Sequence, residues 1–246
     1  MKIYSTLHIG EFHTNHCEDF LINEQITSNQ RLVAVLDGCT MAKESVFASM
    51  LYGKILRNIA KNAFYQEFIV SNKISLKMTL KSVIQELIIE TVKIKNQLGL
   101  EINELLSTVI LGVIDTDTSA AEFITVGDGL IYKDGDIYEY EQDDKPDYLG
   151  YHLSEDFETW YKNQDQTLSI SNFTDLSLCT DGIYTFKNLE SKNKQKPESE
   201  IIQYLLSDTE HKEYDNFLDR KIRFLKDQEQ HVVTDDLAII RIIHTL

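Results

Sequence analysis

Paired cysteines, long apolar runs and basic clusters are all absent from this sequence of 246 residues. The three cysteines, Cys17, Cys39 and Cys179, are an odd number with no close pair, which argues against a disulfide framework and against a zinc ribbon. They read as reduced thiols. No stretch reaches the roughly 20 consecutive apolar residues of a spanning helix, and the Met1-Lys2-Ile3-Tyr4 start carries no apolar signal region. The expected compartment is the cytoplasm, with no membrane partner. Basic residues are scarce: 24 Lys and Arg against 40 Asp and Glu leave a formal net charge of -16, which repels nucleic-acid phosphates. With no basic run to form a local footprint, nucleic acid is not expected as a partner.

What remains is an ordinary globular composition, 42% hydrophobic and 26% charged, long enough for one sizeable core. The expectation is a single domain over 1–246 with no internal repeat. Alternation and short apolar runs predict strands over 3–9, 20–23 and 31–36, the last ending at Asp37-Gly38. Apolar residues at helical spacing predict helices over 42–64 and 76–98, joined through a short polar link at Ser71, Asn72 and Lys73 and therefore antiparallel. Strands resume over 109–114, 121–126, 130–132 and 137–140, read as an antiparallel meander whose last pair turns at Asp134-Gly135. Residues 141–166 are acidic and aromatic without a clean period, an irregular excursion and candidate flap. Strands over 168–170 and 176–180, a surface loop over 188–200, helices over 198–206 and 211–227 and a closing strand over 237–243 complete the chain. Elements arriving in blocks with hairpin links favour an α+β architecture, a four-layer α-β-β-α sandwich with two mainly antiparallel sheets.

Acidic residues sit where apolar strands begin or end: Glu18-Asp19 before Phe20, Asp37-Gly38 after Leu36, Asp181-Gly182 after Thr180, and Asp235-Asp236 before Leu237, with Asp128 set between Gly127 and Gly129. Taken singly, Asp-Gly after a strand is usually only a turn, and Asp134-Gly135 is read that way. If the strand ends converge, the carboxylates meet. Two of them about 4 Å apart repel by roughly 4 kcal/mol at an effective dielectric of 20, so a cluster needs cations or protons. An all-oxygen set without His or Cys suits Mg²⁺ or Mn²⁺ and not zinc.

The ordered set HCEDF at 16–20, VLDG at 35–38, ST at 107–108, VGDG at 126–129, LCTDGIY at 178–184 and TDDLAII at 234–240 resembles the successive motifs of the protein phosphatase 2C family over nearly the whole chain. The resemblance implies an α-β-β-α sandwich around a centre of two Mn²⁺ or Mg²⁺ ions. It implies that Asp37 bridges both ions, that Asp181 and Asp236 complete one site, and that Glu18 with the Gly38 carbonyl serves the other. Asp19 would orient the attacking water, and Asp128 would help hold a weaker third ion found in some bacterial members. The implied activity is hydrolysis of phosphoserine and phosphothreonine on a phosphorylated protein, opposite a kinase in a signalling pair.

Three departures stand beside these matches. Thr14 occupies the place of the family's phosphate-gripping arginine, with His13 and His16 as nearby substitutes; Cys39 stands where many members carry an acid histidine; and Leu237 replaces the usual asparagine. They motivate an alternative, a pseudophosphatase acting as a regulatory binding module. A third reading is an acidic interaction protein whose Asp-Gly pairs are only turns.

Overall fold

The computed structural model describes residues 1–67, 74–140 and 146–244. The strands are β1 (Lys2–His8), β2 (Phe20–Gln25), β3 (Gln30–Gly38), β4 (Ser107–Asp115), β5 (Ala121–Val126), β6 (Gly129–Lys133), β7 (Asp136–Tyr140), β8 (Thr167–Ile170), β9 (Asp175–Cys179), β10 (Phe186–Asn188), β11 (His231–Val233) and β12 (Leu237–Ile243). The helices are α1 (Phe47–Glu67), α2 (Leu76–Leu98), α3 (Phe157–Lys162), α4 (Glu198–Leu206) and α5 (Phe217–Asp227). One five-stranded antiparallel sheet has the order β1-β12-β9-β6-β7 and the other β2-β3-β4-β5-β8, with β10 and β11 forming a separate pair.

Strand alternation divides the buried residues into three layers. Leu32, Ala34 and Leu36 of β3 pack with Tyr52, Leu56, Ile84 and Leu87 of α1 and α2. Val33 and Val35 point the other way and meet Ile131, Leu178, Ala238, Ile240 and Ile242 of the facing sheet. The outer face of that sheet, including Ile239 and Ile243, packs on Ile201, Leu205, Phe217 and Ile222 of α4 and α5. These three apolar interfaces make the four layers α-β-β-α.

Capping explains why α2 runs over the whole predicted span. The Ser75 side chain accepts a hydrogen bond from the Met78 N–H, and Gly99 closes the other end at φ 69° in the left-handed region. The turn between β6 and β7 has Asp134 at φ 51° and Gly135 at φ 105°, the pair of positive φ angles that a two-residue hairpin favours.

Several expectations need correction. The segment from β4 to β7 is not one meander: β4 and β5 lie in one sheet, β6 and β7 in the other. Gly127 and Gly129, at φ 99° and 127°, carry the chain across between the sheets, a path that a side-chain-bearing residue would strain. Helix α1 begins at Phe47 and α5 at Phe217, each about a turn or more after the predicted start. Part of the 188–200 loop is ordered: Asn188 belongs to β10, and α4 starts at Glu198. The excursion contains α3, and Leu149, Leu153 and Trp160 are buried in the layer beneath α1 and α2. The link at Ser71–Lys73 and residues 141–145 lie outside the described residues. Among the described residues no helix is long and apolar enough to cross a membrane.

Candidate metal centre

Antiparallel pairing decides where the acidic strand ends go. Strands β3 and β5 flank β4 and run the same way, so Asp37 near the end of β3 and Asp128 just past β5 share one edge. In the facing sheet β9 lies between β12 and β6; its exit therefore adjoins the starts of both, placing Asp181 and Asp236 at the corresponding edge. Asp37, Asp128 and Asp181 offer carboxylate oxygens that all lie within 4.8 Å of one another.

Asp19 stands behind this trio, almost fully buried at 2% exposure. Its Oδ2 accepts a 2.6 Å hydrogen bond from the Thr180 hydroxyl, while Oδ1 is buried with no donor facing it. Burial pushes its pKa up to about 7, assisted by the charges of Asp181 and Asp236 and opposed by its contact with Asp37 and the hydrogen bond from Thr180. Asp181 is likewise raised to about 7, first by burial and then by Asp128 and Asp235. Burial and the neighbouring Asp19 and Asp181 hold Asp37 well above the carboxylate range, and burial raises Asp128. Among the described residues no lysine or arginine forms an ion pair with these four.

Asp236 meets the backbone of Glu18, and the carboxylates of these two residues are not part of the trio. Asp236 Oδ1 accepts from the Gly10 N–H at 2.8 Å, and Oδ2 meets the Glu18 N–H at 2.5 Å and His13 Nδ1 at 2.9 Å. Glu18 Oε2 accepts from the Thr40 hydroxyl at 2.8 Å. The Glu18 carbonyl accepts from the Gly38 N–H at 3.1 Å, and a Cβ on Gly38 would lie 2.2 Å from the Ser45 carbonyl oxygen, so only glycine lets the end of β3 pass here. Gly182 is equally confined, its absent Cβ falling 1.9 Å from the Asp236 carbonyl oxygen; this contact seats the Asp181 turn on the entrance to β12.

His13 is thus committed to carboxylates, with Nε2 also 3.3 Å from Asp235; burial works against its charge, but Asp236 outweighs that and raises its pKa. Sequence reasoning missed this engagement, since nothing in the pattern of residues 8–18 shows that the segment folds over Asp236. Tyr148 was also missed: burial first, and then Cys39, Asp37 and Asp128, hold its phenol above the ordinary range, so it lies within electrostatic reach of the cluster. The only hint was its place in an aromatic-rich segment.

The donor set fits hard divalent cations. Three half-buried carboxylates, with the buried Asp19 beside them, converge without a basic partner, and an all-oxygen cluster of this kind matches Mg²⁺ or Mn²⁺. In the metal-free protein, Asp19 and Asp181 with folded pKa values of about 7 hold more protons than the unfolded chain, where aspartate titrates near 3.9. Stability is therefore greatest below the unfolded value and falls as pH rises through the folded one. The melting temperature in EDTA is expected to drop between about pH 5 and 8, and saturating Mn²⁺ to flatten that slope; a melting temperature that rises over this interval in EDTA counts against the uncompensated cluster.

The protein phosphatase 2C family model matches residues 11–233. Among solved structures, a bacterial serine phosphatase is similar at 14% identity and TM-score 0.65, covering 100% of this chain and 99% of that one. Serine/threonine phosphatase Stp1 from Staphylococcus aureus is similar at 13% identity and TM-score 0.61, covering 100% and 95%. RsbX in complex with magnesium is similar at 14% identity and TM-score 0.52, covering 97% and 92%. At these identities the likeness is one of fold. No curated protein matches the chain.

Proposed function

Because this chain belongs to the protein phosphatase 2C family, we propose that it is a metal-dependent phosphoprotein phosphatase, hydrolysing phosphoserine and phosphothreonine with water activated by two divalent cations. The observation that carries this reading is the convergence of Asp37, Asp128 and Asp181 within 4.8 Å without a basic partner. Such cations, when bound, lower the pKa of water and stabilise the charge developing on both attacking and leaving oxygens.

The roles proposed for the chain's own residues are those that the match to the family's motifs implies. Asp37, whose carboxylate lies within 4.8 Å of those of Asp128 and Asp181, would hold both of the Mn²⁺ or Mg²⁺ ions. Asp181 and Asp236 would hold one ion, and Glu18 with the Gly38 carbonyl the other. Asp128 would serve a third. Asp19, whose Oδ2 accepts from the Thr180 hydroxyl, would align the attacking water. The substrate is a phosphorylated protein, which puts the enzyme opposite a kinase in a cytoplasmic signalling pair.

A second reading is favoured by Thr14 in the place of the phosphate-gripping arginine: a pseudophosphatase that keeps the fold as a regulatory binding module. Hydrolysis of p-nitrophenyl phosphate with Mn²⁺, Mg²⁺ or EDTA separates the two. The phosphatase is expected to be stimulated by metal and silenced in Asp181→Asn. Folded wild-type protein that stays inactive with every metal would instead establish the binding module.

A further inference from the structure

We propose that Thr180 is a positioning residue of this site, whose hydroxyl fixes the rotation of the Asp19 carboxylate and through it the alignment of the attacking water. The assignment rests on the phosphatase reading above and deepens it. Thr180 is almost fully buried, bears no charge and stands one residue before Asp181.

The backbone around Thr180 shows what the hydroxyl is for. The ladder between β9 and β12 ends with Cys179 opposite Ile239, yet the Thr180 N–H still donates to the Ala238 carbonyl at 3.1 Å. The return bond is different. The Ala238 N–H donates to the Thr180 side-chain oxygen at 2.9 Å, while the Thr180 carbonyl accepts from the Ile183 N–H at 3.2 Å. The hydroxyl thus stands in for the carbonyl at the ladder's end, a local competition open to threonine, and the carbonyl is released to close the turn over 181–184 that presents Asp181. A threonine just before a helical turn commonly aims its oxygen at that turn's own N–H groups. Thr180 makes no such bond.

A hydroxyl has one proton to give and lone pairs with which to accept. With the Ala238 N–H directed at the oxygen, the proton goes to Asp19 Oδ2 at 2.6 Å, a length usual for an O–H bond to a carboxylate. The chain of bonds therefore has one direction, from the β12 amide through Thr180 to Asp19. Among the described residues no backbone N–H and no other alcohol donates to this carboxylate, and Oδ1 is buried without a hydrogen-bond partner. Thr180 holds one oxygen and so sets where the other points. Neighbouring donors are committed elsewhere, Thr40 to Glu18 and His13 to Asp235 and Asp236.

The test compares Thr180→Val, which keeps the shape and loses the hydroxyl, with Thr180→Ser, which keeps the hydroxyl. In Mn²⁺-loaded protein acting on a phosphoserine peptide, kcat for Thr180→Val is expected to fall about 10- to 100-fold, the range for loss of a group that orients a metal-site residue. KM and the Mn²⁺ affinity read by calorimetry should stay as in wild type, and Thr180→Ser should retain the rate. In an Asp19→Ala background, Thr180→Val should cost no further activity, because the two residues act as one unit. In EDTA, the same substitution should lower the melting temperature less in that background than in wild type, since one of the hydroxyl's two bonds is already gone. Should the valine variant fail to fold, Thr180→Ala, which leaves room for a water at the Ala238 N–H, replaces it in each comparison. An unchanged kcat, a serine variant as slow as the valine one, or losses that add in the Asp19→Ala background overturn the positioning role alone. Absence of any metal-stimulated hydrolysis in the wild type overturns it together with the phosphatase reading.

Discussion

Asp37→Asn is expected to abolish metal-stimulated hydrolysis while raising the thermal stability of the metal-free protein. The two effects have opposite signs because one charge serves one state and burdens the other. With cations bound, Asp37 supplies negative charge at the centre of the cluster; losing it removes a bridging ligand and the alignment that depends on it. A fall of about 10³-fold or more is expected, at least as large as that for a single electrostatic stabilising group. Without cations, removal from solvent first, and then the neighbouring Asp19, Asp181 and Asp128, push the pKa of Asp37 upward. Removing one such contact is worth up to about 4 kcal/mol at an effective dielectric of 20, less whatever protons already neutralise. Scanning calorimetry in EDTA at pH 8, beside rates with Mn²⁺, reads both effects. Stability and activity falling together would make Asp37 a structural residue.

The second large effect lies far from that centre. Arg241 on β12 is completely buried in the row facing α4 and α5. Its Nε and Nη2 donate to the two oxygens of Asp175 at 3.0 and 2.6 Å, and Nη1 donates to the Leu205 and Asp208 carbonyls at 2.9 and 2.8 Å. Asp175→Ala leaves the guanidinium buried without its counter-charge, which costs about 3–5 kcal/mol and should lower the melting temperature by on the order of 10 °C. Burial keeps Asp175 above its ordinary pKa even with Arg241 beside it, so dehydration takes back much of what the pair gains. The double variant Asp175→Ala with Arg241→Met is therefore expected to recover most of the loss. A single variant that melts like the wild type would show that water reaches the guanidinium.

Much of this was legible before any coordinates. The limits of α2, α4 and β12 coincide with the predicted ones; for α2 the caps state them locally, with Ser75 and Gly99 bracketing the helix. Strands β10 and β11, three residues each, are too short to show a period. The late start of α5 follows from residues 211–216, which fit the helical pattern but form turns.

By itself, the sequence determined the four-layer architecture, through the period of its apolar residues, and the acidic residues at the strand ends, because period and composition are local properties. Only the tertiary structure decided which of those ends meet. The pairing of β1 with β12, joining Lys2 to Ile243, and the crossing at Gly127–Gly129 depend on contacts between distant segments that no local window contains. The same holds for the seating of the Asp147 carbonyl on Gly127 and of His13 on Asp236. Each is decided by burial of distant surfaces against one another, and this cooperative choice gathers carboxylates that would repel one another in an isolated chain.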